Sequence, residues 1–334
     1  MDNLAIIIPI YREPLALMKQ AEKVFSKFNV YWVIHHHDFK TMENAKSVKG
    51  TANIIVCMSD SHKKADMVNY AVNAMDKKYI SVFDIDNIPS DKFFDKCFEA
   101  IEEGYDLAFG VPYTHNTGRF LPDCKMIEEK QWNFSLKNMC QVYANGYAPI
   151  VGSGFVCLRD KFIKAGFSSD TVTEDADMTM QWTKLGYKVK LIDEMFTGET
   201  PTNLFNTLMQ RARWYKGTLQ SLFKHKDLRE KNDMLFTVYA WTILSPILTF
   251  FICAKYLLLL LPIGLWVIPM LFLFLFQDFE YQHWCLRRNH GYLKRSESYK
   301  WIVLALIGLI VPFIAIFEYF FMPNVWHLTR KKGI

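Results

Sequence analysis

The chain has 334 residues, of which 51% are apolar and 22% charged, with a formal net charge of +5, and is long enough for one large or two modest domains. So mild a charge, with its basic residues beside apolar segments and not on one face, argues against nucleic-acid binding. Seven cysteines with no CxxC pair argue against a disulfide framework or a zinc site and for reduced thiols.

Met1-Asp2-Asn3-Leu4 has no basic region, and the apolar run Leu4–Ile10 is too short for a signal peptide. The globular part is therefore expected in the cytosol. Ala5–Ile8, ended by Pro9, has the continuous apolar pattern of a buried parallel strand. Pro14–Phe28 follows with helical spacing. Tyr31–Ile34 and Asn53–Cys57 read as strands, Lys64–Met75 as a helix, and Tyr79–Phe83 as a strand running directly into Asp84-Ile85-Asp86. Lys92–Glu102 is a further helix and Leu107–Val111 a further strand. This alternation predicts an α/β domain with a mostly parallel, Rossmann-like sheet, whose ligands bind beyond the carboxyl ends of the strands. Asp177–Leu185 then reads as a helix and Tyr187–Ile192 as a short strand.

Asn203–Phe223 is a long amphipathic helix with Leu204, Leu208, Ala212, Tyr215, Leu219 and Leu222 on one stripe and basic residues elsewhere. Such a helix suits a membrane interface, although an ordinary surface helix accounts for the same pattern. Phe236–Phe276 is enough for two helices of roughly 20 residues, turning at Pro262-Ile263-Gly264. A third apolar segment, Trp301–Met322, carries Pro312 and Glu318 and reads as re-entrant or crossing. The expected organisation is a catalytic domain over residues 1–200, an interfacial helix region over 201–232, and a membrane region over 233–334 with segments near 236–258, 260–280 and 301–322. The basic flanks favour the cytoplasmic side of a lipid bilayer for the residues between them.

Four signatures carry chemistry. Asp84 and Asp86, one residue apart at a strand end, can share a divalent cation; oxygen ligands suit Mg²⁺ or Mn²⁺ holding a diphosphate. Solvated loop acids are the plainer account. Lys64 opens a helix after a polar loop, a place that attracts phosphate. Thr173-Glu174-Asp175 clusters carboxylates that can raise one another's pKa, as a general base requires, although helix capping would also use them. Gln210, Arg213 and Trp214 share a helix face that offers an amide to hydroxyls, a fork to phosphate and a ring to a sugar.

With these residues on the page, the chain resembles family 2 glycosyltransferases of the cellulose, chitin, hyaluronan and poly-N-acetylglucosamine synthase type. The resemblance runs through Ile6-Ile7-Ile8-Pro9-Ile10-Tyr11-Arg12-Glu13, Lys64-Ala65-Asp66, Asp84-Ile85-Asp86, Gly152-Ser153-Gly154, Thr173-Glu174-Asp175-Ala176-Asp177, Glu199-Thr200-Pro201-Thr202 and Gln210–Trp214. Trp326-His327-Leu328-Thr329-Arg330 is similar to the W-x-x-T-R segment of such synthases. The resemblance implies a GT-A catalytic domain followed by α-helical membrane segments. It implies inverting transfer from a nucleotide-diphospho-sugar, a UDP-sugar, to a growing β-linked polysaccharide. A single transfer to a ceramide- or polyprenyl-phosphate-type lipid is the alternative. More distant is a non-catalytic membrane protein that only binds sugar nucleotides.

By that resemblance Asp175, with Glu174, is the catalytic base. Pro9, Tyr11, Glu13, Asp38, Lys64, Asp84 and Arg213 lie at the nucleotide and diphosphate. Asp84 and Asp86 hold Mg²⁺ or Mn²⁺. Gly152, Gly154, Gln210, Arg213 and Trp214 line the acceptor path. Three departures stand out. His35-His36-His37-Asp38 occupies the place where relatives carry Asp-Asp-Gly-Ser, with Asp38 offset along the loop. The N-terminal membrane helices of many synthases are missing. Two or three membrane segments can hardly enclose a polysaccharide channel in one chain; the sequence leaves the oligomeric state open, with a homo-oligomer among the partners it allows.

Overall fold

A computed structural model of the protein describes residues 3–48, 50, 52–58, 61–116, 118–129, 149–255 and 300–322. Its strands are β1 (Leu4–Ile10), β2 (Val30–His35), β3 (Asn53–Cys57), β4 (Tyr79–Val82), β5 (Ile88–Pro89), β6 (Leu107–Thr114), β7 (Phe155–Leu158) and β8 (Val189–Gly198). They form one eight-stranded sheet in the order β3-β2-β1-β4-β7-β6-β8-β5. The helices are α1 (Leu15–Phe25), α2 (Phe39–Ser47), α3 (Lys64–Ala74), α4 (Phe93–Glu102), α5 (Arg159–Ala165), α6 (Glu174–Lys184), α7 (Leu204–Lys224), α8 (Leu228–Lys231), α9 (Asp233–Lys255) and α10 (Lys300–Phe321). Residues 120–129 are also helical.

β1 is apolar throughout because both of its faces are covered. Ile6, Ile8 and Ile10 pack with Leu17, Met18 and Phe25 of α1, while Ala5 and Ile7 pack with Val68, Ala71 and Val72 of α3. Alternate side chains along a strand point to opposite faces, so one run of isoleucines serves two cores. β2, β1 and β4 run parallel, which brings the ends after Ile10 and Val82 to the same sheet edge.

The expectation of a mostly parallel sheet needs correction: the sheet is mixed. β7 runs antiparallel to both β4 and β6, and β5 antiparallel to β8. The reason is local and apolar alternation cannot show it. Gly154 turns the chain with φ +68 and its amide bonds Val82 O at 2.8 Å, so β7 starts where β4 ends. β8 is also longer than the apolar run Tyr187–Ile192 suggested. It continues through polar Asp193 and Glu194 because β6 pairs with it across a register shift at Gly110. A Cβ on Gly110 would stand 2.4 Å from the Phe93 ring and 2.8 Å from Glu194 O, so only glycine fits that shift. α2 has too little apolar periodicity to be read from sequence; Asp38 starts it by accepting from Thr41 N at 3.2 Å.

The C-terminal helices pack on α7. Ala212 and Tyr215 meet Ile243 of α9 and Ile307, Val311 and Ala315 of α10. The apolar segments expected at 236–258 and 301–322 correspond to α9 and α10. Among the described residues no helix is long and apolar enough to cross a membrane. The segment expected at 260–280 and the Trp326–Arg330 motif lie outside the described residues. α7 itself departs from a simple interfacial amphipath, since its basic residue Lys216 is fully buried and donates to Met322 O at 2.8 Å beyond the end of α10.

Candidate functional site

The sheet edge that carries the ends of β1, β4 and β8 opens into a cleft of about 720 Å³. Pro9, Tyr11 and Glu13 reach it from the end of β1, and Lys64 from the first turn of α3. Asp84 and Asp86 come from the loop after β4, Gly152 and Ser153 from the turn before β7, and Glu174 and Asp175 from the start of α6. Gln210, Arg213 and Trp214 close it from α7.

Lys64 is the hub of the donor end. Its Nζ lies 2.7 Å from Asp84 Oδ1 and 3.6 Å from Glu174 Oε1. Burial works against its charge, but Asp84, Glu174 and Asp175 outweigh burial and hold its pKa above the ordinary lysine value. The Asp84 backbone is fixed in turn, its amide donating to Ser153 Oγ and Asn87 Oδ1, each at 3.0 Å. Asp86 is buried, and one carboxylate oxygen accepts from Glu199 N at 2.6 Å. Gly198 lies under it, where a Cβ would come within 3.3 Å of Asp86 Oδ2.

This donor set fits a hard divalent cation. It supplies two carboxylates at a strand end and open cleft beside them. Mg²⁺ and Mn²⁺ typically take one or two protein carboxylates and complete their shell from phosphate and water. Among the described residues no group of three or more His, Cys, Asp or Glu is arranged to hold a metal, and the pair that fits one is Asp84 and Asp86.

Asp175 is held by backbone on both oxygens: Oδ2 accepts from Gly152 N at 3.1 Å and Oδ1 from Ala176 N at 2.8 Å. Burial, then the Glu174 carboxylate, push its pKa up to about 6, against the pull of the Ala176 amide, Lys64 and Arg213. A carboxyl that titrates near neutrality is suited to take a proton from a hydroxyl. Thr173 stands at the N-cap position of α6 without a side-chain capping bond, so the acids of this cluster face the cleft and do not serve the cap alone. Asp177, two residues on, is fully buried and tied to His225 Nε2 at 3.0 Å and Lys224 Nζ at 3.1 Å, joining α6 to the end of α7.

Two of the expected site residues stand back from the cleft. Asp38 caps α2 and accepts from Arg12 N at 2.7 Å. That bond supports Arg12 in the left-handed region at φ 55, a conformation that side chains seldom adopt, in the turn that presents Tyr11 and Glu13. Gly154 lies behind Gly152 against the Phe196 ring. Tyr11 stacks on His62 with ring centroids 4.7 Å apart, and burial, then His35, Arg12 and Lys63, lower the His62 pKa. Of the histidine run, His36 Nδ1 meets Cys57 O at 3.2 Å and the His35 ring accepts from His37 N at 3.2 Å.

The helical residues 120–129 supply a wall the motifs did not announce. Lys125, Glu128 and Glu129 line the cleft opposite α7. Their i, i+3 and i+4 spacing was the available signal, but it marks any charged helix face. His62, Asn87 and Ser153 were also missed, since only the fold brings them to the site.

Residues 79–323 match the family model described as glycosyl transferase family group 2. The chain is 25% identical over 237 residues to cellulose synthase 1 of Komagataeibacter xylinus, covering 64% of this chain and 15% of that protein. It is 23% identical over 245 residues to the UDP-forming catalytic subunit of cellulose synthase from Pseudomonas fluorescens, covering 64% of this chain and 31% of that protein. The chain thus spans less than a third of the length of these curated relatives. Among solved structures, a mannosyltransferase from Pyrobaculum calidifontis in complex with GDP-Man and Mn2+ shares the fold at a TM-score of 0.60 and 12% identity, covering 95% of this chain and 87% of that one.

Proposed function

Since the chain belongs to glycosyl transferase family group 2, we propose that it moves a sugar from a nucleotide-diphospho-sugar, a UDP-sugar, to a growing β-linked polysaccharide with inversion at the anomeric carbon. The observation that carries this reading is the convergence of Lys64, Asp84, Asp86, Asp175 and Arg213 on one cleft, with Asp175 raised to about 6. The polymer acceptor is suggested by the cellulose synthases to which the chain is similar.

In this reading Asp175 takes the proton of the acceptor hydroxyl. The hydroxyl oxygen forms its bond to the anomeric carbon as the bond from that carbon to the diphosphate oxygen breaks, and the nucleoside diphosphate departs with the electron pair. Lys64 and Arg213 face the departing charge, which they stabilise more than they stabilise the neutral ends of the donor. Asp84 and Asp86 would hold Mg²⁺ or Mn²⁺. Such an ion supplies, when bound, positive charge against the diphosphate oxygens. Glu174 keeps Asp175 basic, Gly152 N orients it, and Gln210 and Trp214 receive the acceptor sugar. Replacing Asp175 by Asn and assaying with a panel of radiolabelled UDP-sugars tests the assignment: turnover at the wild-type rate would remove it.

One observation favours a second reading, transfer to a membrane lipid. Past Trp214 the cleft continues between α7, α9 and α10, where Val238, Ile243, Pro246 and Val311 line it. That apolar arm suits an acyl or polyprenyl chain better than a hydroxylated polymer. Product sizing separates the two, since a ladder supports the polymer and a single lipid-soluble band the alternative. In both readings the protein lies against a bilayer with its catalytic face in the cytosol. Leu244 and Leu248 of α9 and Ile310, Phe313, Phe317, Phe320 and Phe321 of α10 are exposed apolar side chains available for that contact. Flotation with phosphatidylcholine–phosphatidylglycerol vesicles tests the placement, and protein left entirely at the bottom of the gradient would count against it.

A further inference from the structure

In the wall opposite α7, Glu128 is the carboxylate that links Lys125 to α7. Glu128 Oε2 lies 2.9 Å from Lys125 Nζ and 2.6 Å from Arg211 Nη2. Lys125 Nζ in turn stands 5.0 Å from the centroid of the Trp214 ring, close enough for a favourable cation–π contact. All three charged groups are largely buried, with side-chain exposures of 16% for Lys125, 25% for Glu128 and 13% for Arg211. Burial would raise the Glu128 carboxyl, but Lys125 and Arg211 outweigh it and hold it at about 2, so it stays ionised throughout the working range. The neighbouring Glu129 reaches both ways: Oε1 lies 3.8 Å from Lys125 Nζ, and Oε2 accepts from Thr114 N at 2.8 Å and Thr114 Oγ1 at 2.9 Å at the end of β6. Thr114 Oγ1 is 2.7 Å from Thr200 Oγ1, next to Glu199, whose amide holds Asp86.

We propose that Glu128 is a positioning residue for the acceptor: by gripping Lys125 and Arg211 together it sets the orientation of Trp214, while Glu129 ties the same helical turn to the strand ends beside Asp86. The inference rests on the transfer reading above and assigns a role to residues that reading does not use. The chemistry agrees with it. A stacking ring guides a sugar only if its plane is fixed, and a lone Trp on a helix surface turns about two torsions. A cation held over the ring by a buried carboxylate removes that freedom at modest cost, because both charges find partners. An error of about 1 Å in acceptor placement is enough to cost a large rate factor.

The test uses the full chain in membranes, with the radiolabelled UDP-sugar that the wild type turns over. Glu128→Gln keeps the shape and removes the charge. Lys125→Met keeps the Glu128–Arg211 pair and removes the cation over the ring together with its pairs to Glu128 and Glu129. Both should lower sugar incorporation by about tenfold or more, expressed as a raised acceptor KM, while UDP affinity in the presence of Mn²⁺, read by calorimetry, changes by less than about twofold. Glu128→Asp should recover part of the loss, which a merely structural role would not predict if melting temperatures match. Unchanged incorporation in both variants would overturn the proposal, as would a loss of UDP affinity equal to the loss of incorporation. A wild-type chain that neither binds UDP or GDP nor consumes any sugar nucleotide would instead overturn the transfer reading itself.

Discussion

The two ends of the cleft are built by different means. At the end that carries the aspartates, most of the bonds join a side chain to a backbone amide. Asp86 is fixed by the Glu199 amide and Asp175 by the Gly152 and Ala176 amides, while the Asp84 amide is anchored on Ser153 and Asn87. At the end walled by α7, side chains hold side chains across helices, with Lys125, Glu128, Arg211 and Trp214 in one chain of contacts. Strand ends and helix starts cannot shift without disturbing the sheet, so charges placed there stay aimed at one point. Long side chains between helices are fixed only by one another, so several must act together to hold one ring in place.

The sharpest way to break this comparison is at the most rigid point. Asp175→Asn should lower kcat by about 10²–10⁴-fold with nucleotide affinity intact, measured by incorporation and by calorimetry with UDP. Next in size is a substitution that loosens the frame and leaves the chemistry alone. Asp177 is fully buried between Lys224 and His225, and its removal takes the ion-pair partner from the buried His225 Nε2, while Lys224 keeps Ser168 and Asp170. Asp177→Ala should cost about 3 kcal/mol of stability, read by thermal melting, while the fraction that remains folded retains its KM.

Gly152 sharpens the contrast within a single turn. A Cβ there would stand 3.0 Å from Glu174 Oε1 and 3.5 Å from both Asp175 Oδ2 and Lys64 Nζ. Gly152→Ala should therefore reduce transfer by about 10- to 100-fold with a nearly unchanged melting temperature. At Gly154 a Cβ would stand 2.1 Å from the Phe196 ring in a backbone with φ +68. Gly154→Ala should do the opposite, destabilising the fold by about 1–3 kcal/mol before it touches the chemistry. Equal behaviour of the two variants would dissolve the distinction between the turn's face and its back.

The smallest effect concerns pH. Because Asp175 must be ionised to accept a proton and titrates near 6, transfer should rise through that pH and level off above about 7. The same shift has a stability consequence of opposite sense. Folding raises this carboxyl from 3.8 to about 6, so between those values the folded chain holds a proton that the unfolded chain has lost. Ionised Asp175 then costs stability in full above pH 6. Asp175→Asn should raise the melting temperature at pH 7.5, by something on the order of 1–2 kcal/mol of stability, and the gain should vanish below about pH 4. A variant that is less active yet no more stable at pH 7.5 would contradict the burial account of the shift.

Much of the site was legible because its parts are short and local. Lys64 opens a helix, Asp84 follows a strand, and Gln210, Arg213 and Trp214 share a helix face; each can be read from a few neighbouring positions. Other features were not legible for equally physical reasons. The apolar pattern of Phe155–Leu158 does not tell that strand to run against β4, yet that reversal carries Gly152 and Ser153 to Asp84. Lys216 reads as one more basic residue on an amphipathic helix and is in fact buried against Met322 O. Asp38 reads as a nucleotide ligand displaced along its loop and stands behind the turn that bears Tyr11.

The amino-acid order by itself determined the family, the alternation of strands and helices, and the identity of the charged groups, since these follow from periodicity and from chemistry carried by adjacent residues. Tertiary structure alone decided which way β7 runs, how far Asp175 is raised, and that Glu128 faces Arg211 from a helix 83 positions away. Burial and through-space charge depend on what the chain brings together, and no local pattern encodes a neighbour that distant.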